Sequence, residues 1–339
     1  MKTRRQILRS GAMAAGAALA GFRAMVTPAR AADQVSVALP LGFQIDFFDS
    51  MNMASGGHFA RFGLDGKVIG ANSGVQTIQL VASGQAMFGR GAPPDIIRAV
   101  AAKQAAPIAI ATILQGCPFR VFSPKAKPVI EPIDFKGKTV GLITLASPTG
   151  IYLDVMLHRA GLTPGDVERQ PTGGTPGALE IMKQGRVDCF ISTVAVETAA
   201  RLAHEQVLVW DPSKYLPLPG QTYYAMPETL AAKPDIVIRF LKAAKSSIDE
   251  MLAGPLPALI TRAAKDFDIP GVNDLDLTVT MLDTSIKELM LPAGLDKLLL
   301  NIPAQWIDGC KALADAHIVE IADPNVLFTN RFIDAALKA

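Results

Sequence analysis

The sequence predicts an α/β protein of two similar halves behind an export leader. Two patterns carry the fold class. Predicted strands and helices alternate through residues 34–203 with glycine-containing loops between them, the arrangement of a mostly parallel sheet covered by helices. One phrase also occurs twice: Ser83-Gly84-Gln85-Ala86-Met87-Phe88-Gly89 is answered by Gln184-Gly185-Arg186-Val187-Asp188-Cys189-Phe190, a helix stop followed by a short strand in each case. Length agrees, because about 300 residues beyond the leader favour two domains over one.

The leader is expected over residues 1–31. Arg4 and Arg5 precede a weakly apolar run over 12–20, and Ala29-Arg30-Ala31 offers a small-x-small cleavage site. The paired arginines mark it as twin-arginine-like, a route that exports folded protein, which places the mature chain in the periplasm. The rival reading is an uncleaved anchor, but the apolar core is about half the ~20 residues that span a bilayer. Six of the 33 basic residues (Lys2, Arg4, Arg5, Arg9, Arg23, Arg30) and none of the 31 acidic ones fall in the leader. The rest of the chain is therefore acidic, with 27 basic residues. No basic stripe remains to argue for a nucleic-acid partner. Cys117, Cys189 and Cys310 are widely spaced, allow at most one disulfide, and are read as free buried thiols.

The elements follow in order. Residues 34–41 (QVSVALPL) alternate and make a first strand. A polar, glycine-rich patch, 46–57, separates it from Gly63-Leu64-Asp65, after which 66–70 is a second strand. Asn72-Ser73-Gly74 is a turn capping a helix over 75–83, which Gly84 stops. A strand over 86–89, a bend at Arg90-Gly91-Ala92 and a helix opened by Pro93-Pro94 come next. After the apolar run 108–115 a second unit begins: a charged turn at 134–138, a strand over 139–144, a helix over 151–159, a strand over 166–170, the loop 172–176, a helix over 177–184 and a strand over 187–192. Thr193 starts a further helix. A strand at 207–210 leads to the proline-punctuated 215–220 and then 221–226, read together as the return between domains. Beyond Pro234 the pattern is helical, with helices expected over 235–252, 255–267, 274–289, 292–300 and 303–314.

The spacing from Ser73-Gly74 through SGQAMFGRG (83–91), DFKGKTVGL (134–142), and LHRAGLTPGDV (157–167) followed by ALEIMKQGRVDCF resembles the NMT1/THI5-like solute-binding proteins of ABC importers. That group includes binders of sulfonates, nitrate and thiamine-pyrimidine precursors. The resemblance implies the periplasmic binding protein type II fold: two α/β lobes joined by a two-segment hinge and closing over a solute. Carried over, lobe one is 34–117 plus 225–339 and lobe two is 118–224, with crossings near 116–120 and 221–226. It also implies a monomeric receptor, no cofactor, and an inner-membrane ABC permease as partner. The stretch after strand one (GFQIDFFDSMNMASGGHFARFG) departs from the family's usual pattern, so the ligand is expected to depart with it.

Open α/β sheets bind ligands beyond the carboxyl ends of their strands, which selects five loops. They offer Phe43, Asp46 and Phe47; Asn72 and Ser73; Gly91; Ser147 and Thr149; and Thr172 and Thr175, with Thr193 behind. Hydroxyls and free amides at helix starts suit an anionic or strongly polar solute; ordinary helix capping is the alternative use of the same residues. Arg90, between two glycines at a strand end, is placed to clamp a carboxylate, sulfonate or phosphate, and Arg120 is a second candidate. Each has the alternative of an ion pair or a solvated charge. Asp46 and Asp49 complicate an anion-only account, because a carboxylate in the cleft favours an amine or ring N–H. The phenylalanines and Tyr223 offer flat faces for a ring.

Catalysis has less support. His58, His158, His204 and His317 lack metal-ligand spacing and are read as surface or helix residues, so no metal is expected. Neither a GxSxG elbow nor a GxxxxGK[ST] loop occurs. The expected function is delivery of a small anionic or aromatic organic solute to an importer. The alternatives are a sensory module acting on a membrane partner, and a pyrimidine-precursor enzyme of the same fold.

Overall fold

The computed structural model of the protein describes residues 32–338. The expected leader, 1–31, lies outside them. The chain opens with β1 (Asp33–Leu39), α1 (Phe48–Ser55), α2 (His58–Arg61), β2 (Leu64–Gly70), α3 (Gly74–Ala82), β3 (Phe88–Gly91), α4 (Pro93–Ala101) and β4 (Ile108–Leu114). It continues through β5 (Phe119–Pro124), β6 (Thr139–Leu142), α5 (Pro148–Arg159), β7 (Glu168–Pro171), α6 (Gly177–Lys183), β8 (Cys189–Thr193), α7 (Val194–Leu202) and β9 (Val207–Trp210). Then come β10 (Gln221–Ala225), α8 (Pro227–Ala232), α9 (Pro234–Ala253), α10 (Leu256–Ala263), α11 (Leu275–Ser285), α12 (Pro303–Asp315) and α13 (Arg331–Leu337).

The strands form two sheets of the same design, ordered β2-β1-β3-β10-β4 and β7-β6-β8-β5-β9. In each, the first three strands are parallel and the fourth runs antiparallel to both neighbours. That fourth strand is the one with which the chain enters the sheet after a crossing: β5 after 115–118, β10 after 211–220. The return therefore lies in the proline-punctuated stretch, where proline suits neither helix nor central strand. Gln221–Ala225, read from sequence as part of that return, is instead a fully buried strand of the first sheet.

Other expectations change as well. The polar patch 46–57, to which the sequence assigns no element, is mostly helix α1, and its Asp49, Ser50 and Asn52 are fully buried. Polar composition misleads there because each has a buried partner: Asp49 meets Arg90, Ser50 meets Tyr223, and Asn52 meets Ser247 and Glu250. The helix expected over 292–300 is absent: Gly294 takes φ 94°, a single tight turn spans Leu295–Lys297, and Leu299 bridges to Thr112 at the sheet margin. His58, read as a surface or helix residue, opens helix α2 and is buried against Glu250 at 2.9 Å. The three cysteines are free and buried.

The first sheet packs beneath α9, whose Val237, Phe240, Leu241 and Ile248 are fully buried with Phe88 and Val37. A second apolar cluster runs through the crossings, joining Leu216 and Leu218 to Phe119, Tyr152 and Trp306. No described helix is long and apolar enough to cross a membrane.

Candidate functional site

Strand order fixes where a site can form. The loops after β1, β3, β6 and β8 all leave the carboxyl ends of parallel strands, and the two sheets present them toward each other. Between them lies a cavity of about 60 Å³. Lobe one supplies Pro40, Leu41, Gln44, Asp46 and Phe47 after β1, the starts of α3 and α4, and Gln221 at the start of β10; lobe two supplies Phe119, the loop after β6 and Thr193. A neighbouring cavity of about 130 Å³ shares Gln44 and Asp46 and continues to Thr175 and α11. α11 packs across the gap on α7, so the lobes are closed on one another.

Local chemistry explains these walls. Leu41 takes φ 64° and Gly42 φ 71°, folding the chain back after β1; Gly42 N–H holds the turn by donating to Ala71 O at 2.8 Å. A non-glycine residue in this region costs about 1–2 kcal/mol, and it occurs at the cavity wall. Ser73 caps α3 by accepting from Gln76 N–H at 3.1 Å. α4 begins with Pro93-Pro94 and α5 with Pro148, each without an amide proton to lose. Asp95, in the first turn of α4, pairs with Arg98 at 2.8 Å, and Arg98 also donates to Ala146 O of lobe two at 3.0 Å.

The charges in the walls are carboxylates. Burial pushes Asp46 up to about 6, against the opposing pull of Arg90, and burial pushes Asp95 up to about 6, against Arg98. No lysine, arginine or histidine lines either cavity among the described residues. Thr193 Oγ1 and Gln221 Oε1 are buried without a hydrogen-bond partner. Buried polar atoms are ordinarily paired, so these two are open positions for a solute.

Of the sequence-predicted residues, Asp46, Phe47, Ser73, Ser147 and Thr193 line the first cavity and Thr175 the second. Seven do not line either. Arg90, proposed as an anion clamp, is fully buried inside lobe one, 2.8 Å from Asp49 and over the Phe47 ring at 4.9 Å. Tyr223 faces the same interior and donates to Asp49 at 2.5 Å. Gly91 is a buried strand residue beside Tyr224. Thr149 is taken up by Ile143 N–H and Ser147, and Thr172 by Leu142 O. Phe43 packs on Phe267 at 5.1 Å, and Asn72 is exposed at the foot of α3. Arg120 is held by Glu197, Asp211 and Glu288 beside the first crossing.

Sequence reading missed Gln44, Asp95 and Gln221. Asp95 carried a signal, an acidic residue two positions into a proline-opened helix after a strand. Gln221 carried none, because its place depends on β10 entering the first sheet from the far side of the chain.

No group of three His, Cys, Asp or Glu able to hold a metal occurs among the described residues. A sequence comparison with curated proteins finds no match. Solved structures share the architecture. A protein from Bordetella bronchiseptica RB50 superposes with a TM-score of 0.72 at 20% identity, covering 91% of this chain and 98% of its own. The periplasmic aliphatic sulphonate binding protein SsuA from Escherichia coli gives 0.66 at 16% identity, covering 87% and 91%. The desulfurization enzyme DSZB gives 0.54 at 12%, covering 90% and 99%. The two lobes, their sheets and the paired crossings are thus those of the type II periplasmic binding protein fold. Residues 52–258, more than half of the sequence, match the NMT1/THI5 like family, and the chain belongs to it.

Proposed function

We propose that the protein is a solute receptor: it encloses one small organic molecule between its lobes and presents the closed form to the permease of an ABC importer. The observation that carries this is the interlobe cavity, walled by equivalent loops of both lobes and holding the unpartnered Thr193 and Gln221. A site made by two bodies is created and destroyed by their relative motion, which is what a receptor uses to signal occupancy. Family membership and the likeness to a sulphonate-binding protein support the transport role. The twin-arginine-like leader expected from sequence supports a periplasmic receptor, read here as a monomer without cofactor. Of the two solute classes expected from sequence, the largely apolar wall of Leu41, Phe47, Leu114, Phe119 and Ile143 favours an apolar or aromatic body. The likeness to a desulfurization enzyme keeps catalysis as the second reading; the carboxyls, hydroxyls and amides of the lining are sufficient for binding alone.

The test is native mass spectrometry of protein purified without denaturation, together with small-angle scattering. A small adduct released on unfolding, and compaction on adding it back to stripped protein, are expected. Turnover of the released molecule by the protein, or absence of both adduct and compaction across a broad solute screen, would remove the receptor reading.

A further inference from the structure

We propose that the solute of this cleft carries a basic, hydrogen-bond-donating nitrogen (an amine, an amidine or a protonated ring nitrogen) on a compact apolar body, and that Asp46 receives it. The inference rests on the receptor reading and names its solute class.

The argument is one of charge balance. Asp46 and Asp95 are the two carboxylates in the cavity walls. Asp95 has its own cation, Arg98, at 2.8 Å. Behind Asp46 lies one guanidinium, Arg90, and it is shared: its Nη1 sits 2.8 Å from Asp49 and donates to the backbone oxygen of Asp46 at 2.9 Å, while its Nε and Nη2 have no hydrogen-bond partner. Asp49 takes the Tyr223 hydroxyl as well. One cation thus serves two carboxylates, and the surplus negative charge resides on Asp46, where the two cavities meet. A half-buried carboxylate without a full partner carries a desolvation cost, and an incoming cation reduces it.

The uncharged groups point the same way. Gln221, 9% exposed, leaves Oε1 without a donor, and Thr193, 8% exposed, leaves its hydroxyl open. Asp46 and Gln221 Oε1 accept hydrogen bonds and the Thr193 hydroxyl accepts or donates one, so a solute bearing several N–H groups satisfies all three, whereas an oxyanion satisfies Thr193 alone. The start of α3, a position that can hold an anion, is occupied by this protein's own groups. Ser73 caps α3, and Asp95 Oδ2 lies so near its first residue that a Cβ on Gly74 would be 2.0 Å away. Prolines open α4 and α5, and Glu197 stands in the first turn of α7. An oxyanion would meet Asp46, only partly offset by Arg90, with no cation in the walls.

The same balance gives a pH signature. The charged groups facing Asp46 are Arg90 from β3, Asp49 from α1 and Asp95 from α4; the α11 side of the second cavity brings none into its wall. With its pKa raised to about 6, Asp46 is largely ionised at pH 7.5 and largely protonated at pH 5. Cation binding therefore weakens as pH falls through 6.

The test is isothermal titration of the stripped, full protein with benzylamine, benzamidine and n-butylamine, and with benzoate, benzenesulfonate and butanesulfonate. At least one cation is expected to bind at pH 7.5, with affinity falling tenfold or more both at pH 5 and in Asp46→Asn, while the anions do not bind. Asp46→Asn is isosteric, and an unchanged or raised melting temperature shows that it folds. Three results would overturn the inference: an anion that binds better than every cation, a cation whose affinity ignores both pH and Asp46→Asn, or no cation binding at all. A co-purified solute seen by native mass spectrometry would leave the receptor reading standing in each case.

Discussion

The two lobes repeat one backbone and fill it with opposite chemistry. Pairing of Val37 with Phe88 and of Val140 with Cys189 sets the equivalence, so Arg90 of β3 corresponds to Ile191 of β8. Arg90 faces Tyr223 across the sheet, whereas Ile191 faces Val121. All four are fully buried. One step earlier, Gly89 lies under the Tyr224 ring, while its counterpart Phe190 stacks on Phe122 at 4.5 Å and 5°. Sheet geometry thus does not require a polar interior at this level. Lobe one carries a buried ion pair and Tyr223 directly behind the cleft segment 44–47, and lobe two offers an apolar body with hydroxyls at its rim. On the proposed reading, selectivity by charge belongs to lobe one, with lobe two as the closing surface.

The largest effect is expected from making lobe one resemble lobe two halfway. Arg90→Met strands Asp49 without its cation in a dry interior and should cost about 3–5 kcal/mol in urea unfolding. Arg90→Met combined with Asp49→Leu removes both charges and should recover most of that loss, since replacing a whole buried pair by apolar residues is often neutral. A single substitution costing under about 1 kcal/mol would show that the pair is not what organises this lobe.

Next is a network without a counterpart in lobe two. Glu250 of α9 receives Arg262 at 2.6 Å, His58 at 2.9 Å and Asn52 at 3.0 Å, tying α1, α2 and α10 to α9. These hydrogen bonds, Arg262 foremost, hold its carboxyl down to about 2. Because the folded value is depressed from 4.5, the stabilisation is present above about 4.5 and is lost as pH falls toward 2. Glu250→Gln should cost about 1.5–3 kcal/mol at pH 7 and little at pH 2.5, as read by thermal unfolding at the two pH values.

Gly89→Ala probes the tyrosine side of the comparison. Its Cβ would lie 2.2 Å from Tyr224 Cζ, and the ring cannot simply retreat because its hydroxyl donates to Thr77 at 2.8 Å. A loss of about 1–3 kcal/mol is expected, with part of it returned by Tyr224→Val. Equal stability of Gly89→Ala and the native protein would mean that the ring is not fixed there.

Much of this architecture was legible in residues 34–203, because helix stops at Gly84 and Gly185 and apolar strands are local signals. β10 was not, since a five-residue strand that joins a sheet built more than a hundred residues earlier announces itself by nothing nearby. The same gap hid Gln221 from the site. Asp46 was legible as a charge in a strand-end loop; its partial compensation was not, because it depends on Arg90 turning inward to Asp49, a contact between strand and helix that only packing decides. Arg90 itself shows the limit most sharply: flanking glycines mark close approach, and here what approaches Gly89 is Tyr224 rather than a ligand.

The smallest effect should come from the arginine most unlike Arg90. Arg159 of α5, in lobe two, lies 3.7 Å from Asp315 of α12, and both side chains are nearly half exposed. Water screens such a pair, the long side chain loses entropy in holding it, and Asp315 keeps a second cation in Lys311 at 3.2 Å. Arg159→Ala should therefore change unfolding stability by under about 1 kcal/mol, with the difference vanishing in high salt. Arg90 and Arg159 are the same side chain with the same kind of partner, and burial alone separates them. A cost for Arg159→Ala approaching that of Arg90→Met would show that exposed links between α5 and α12, rather than the interior of lobe one, carry the stability of the closed form.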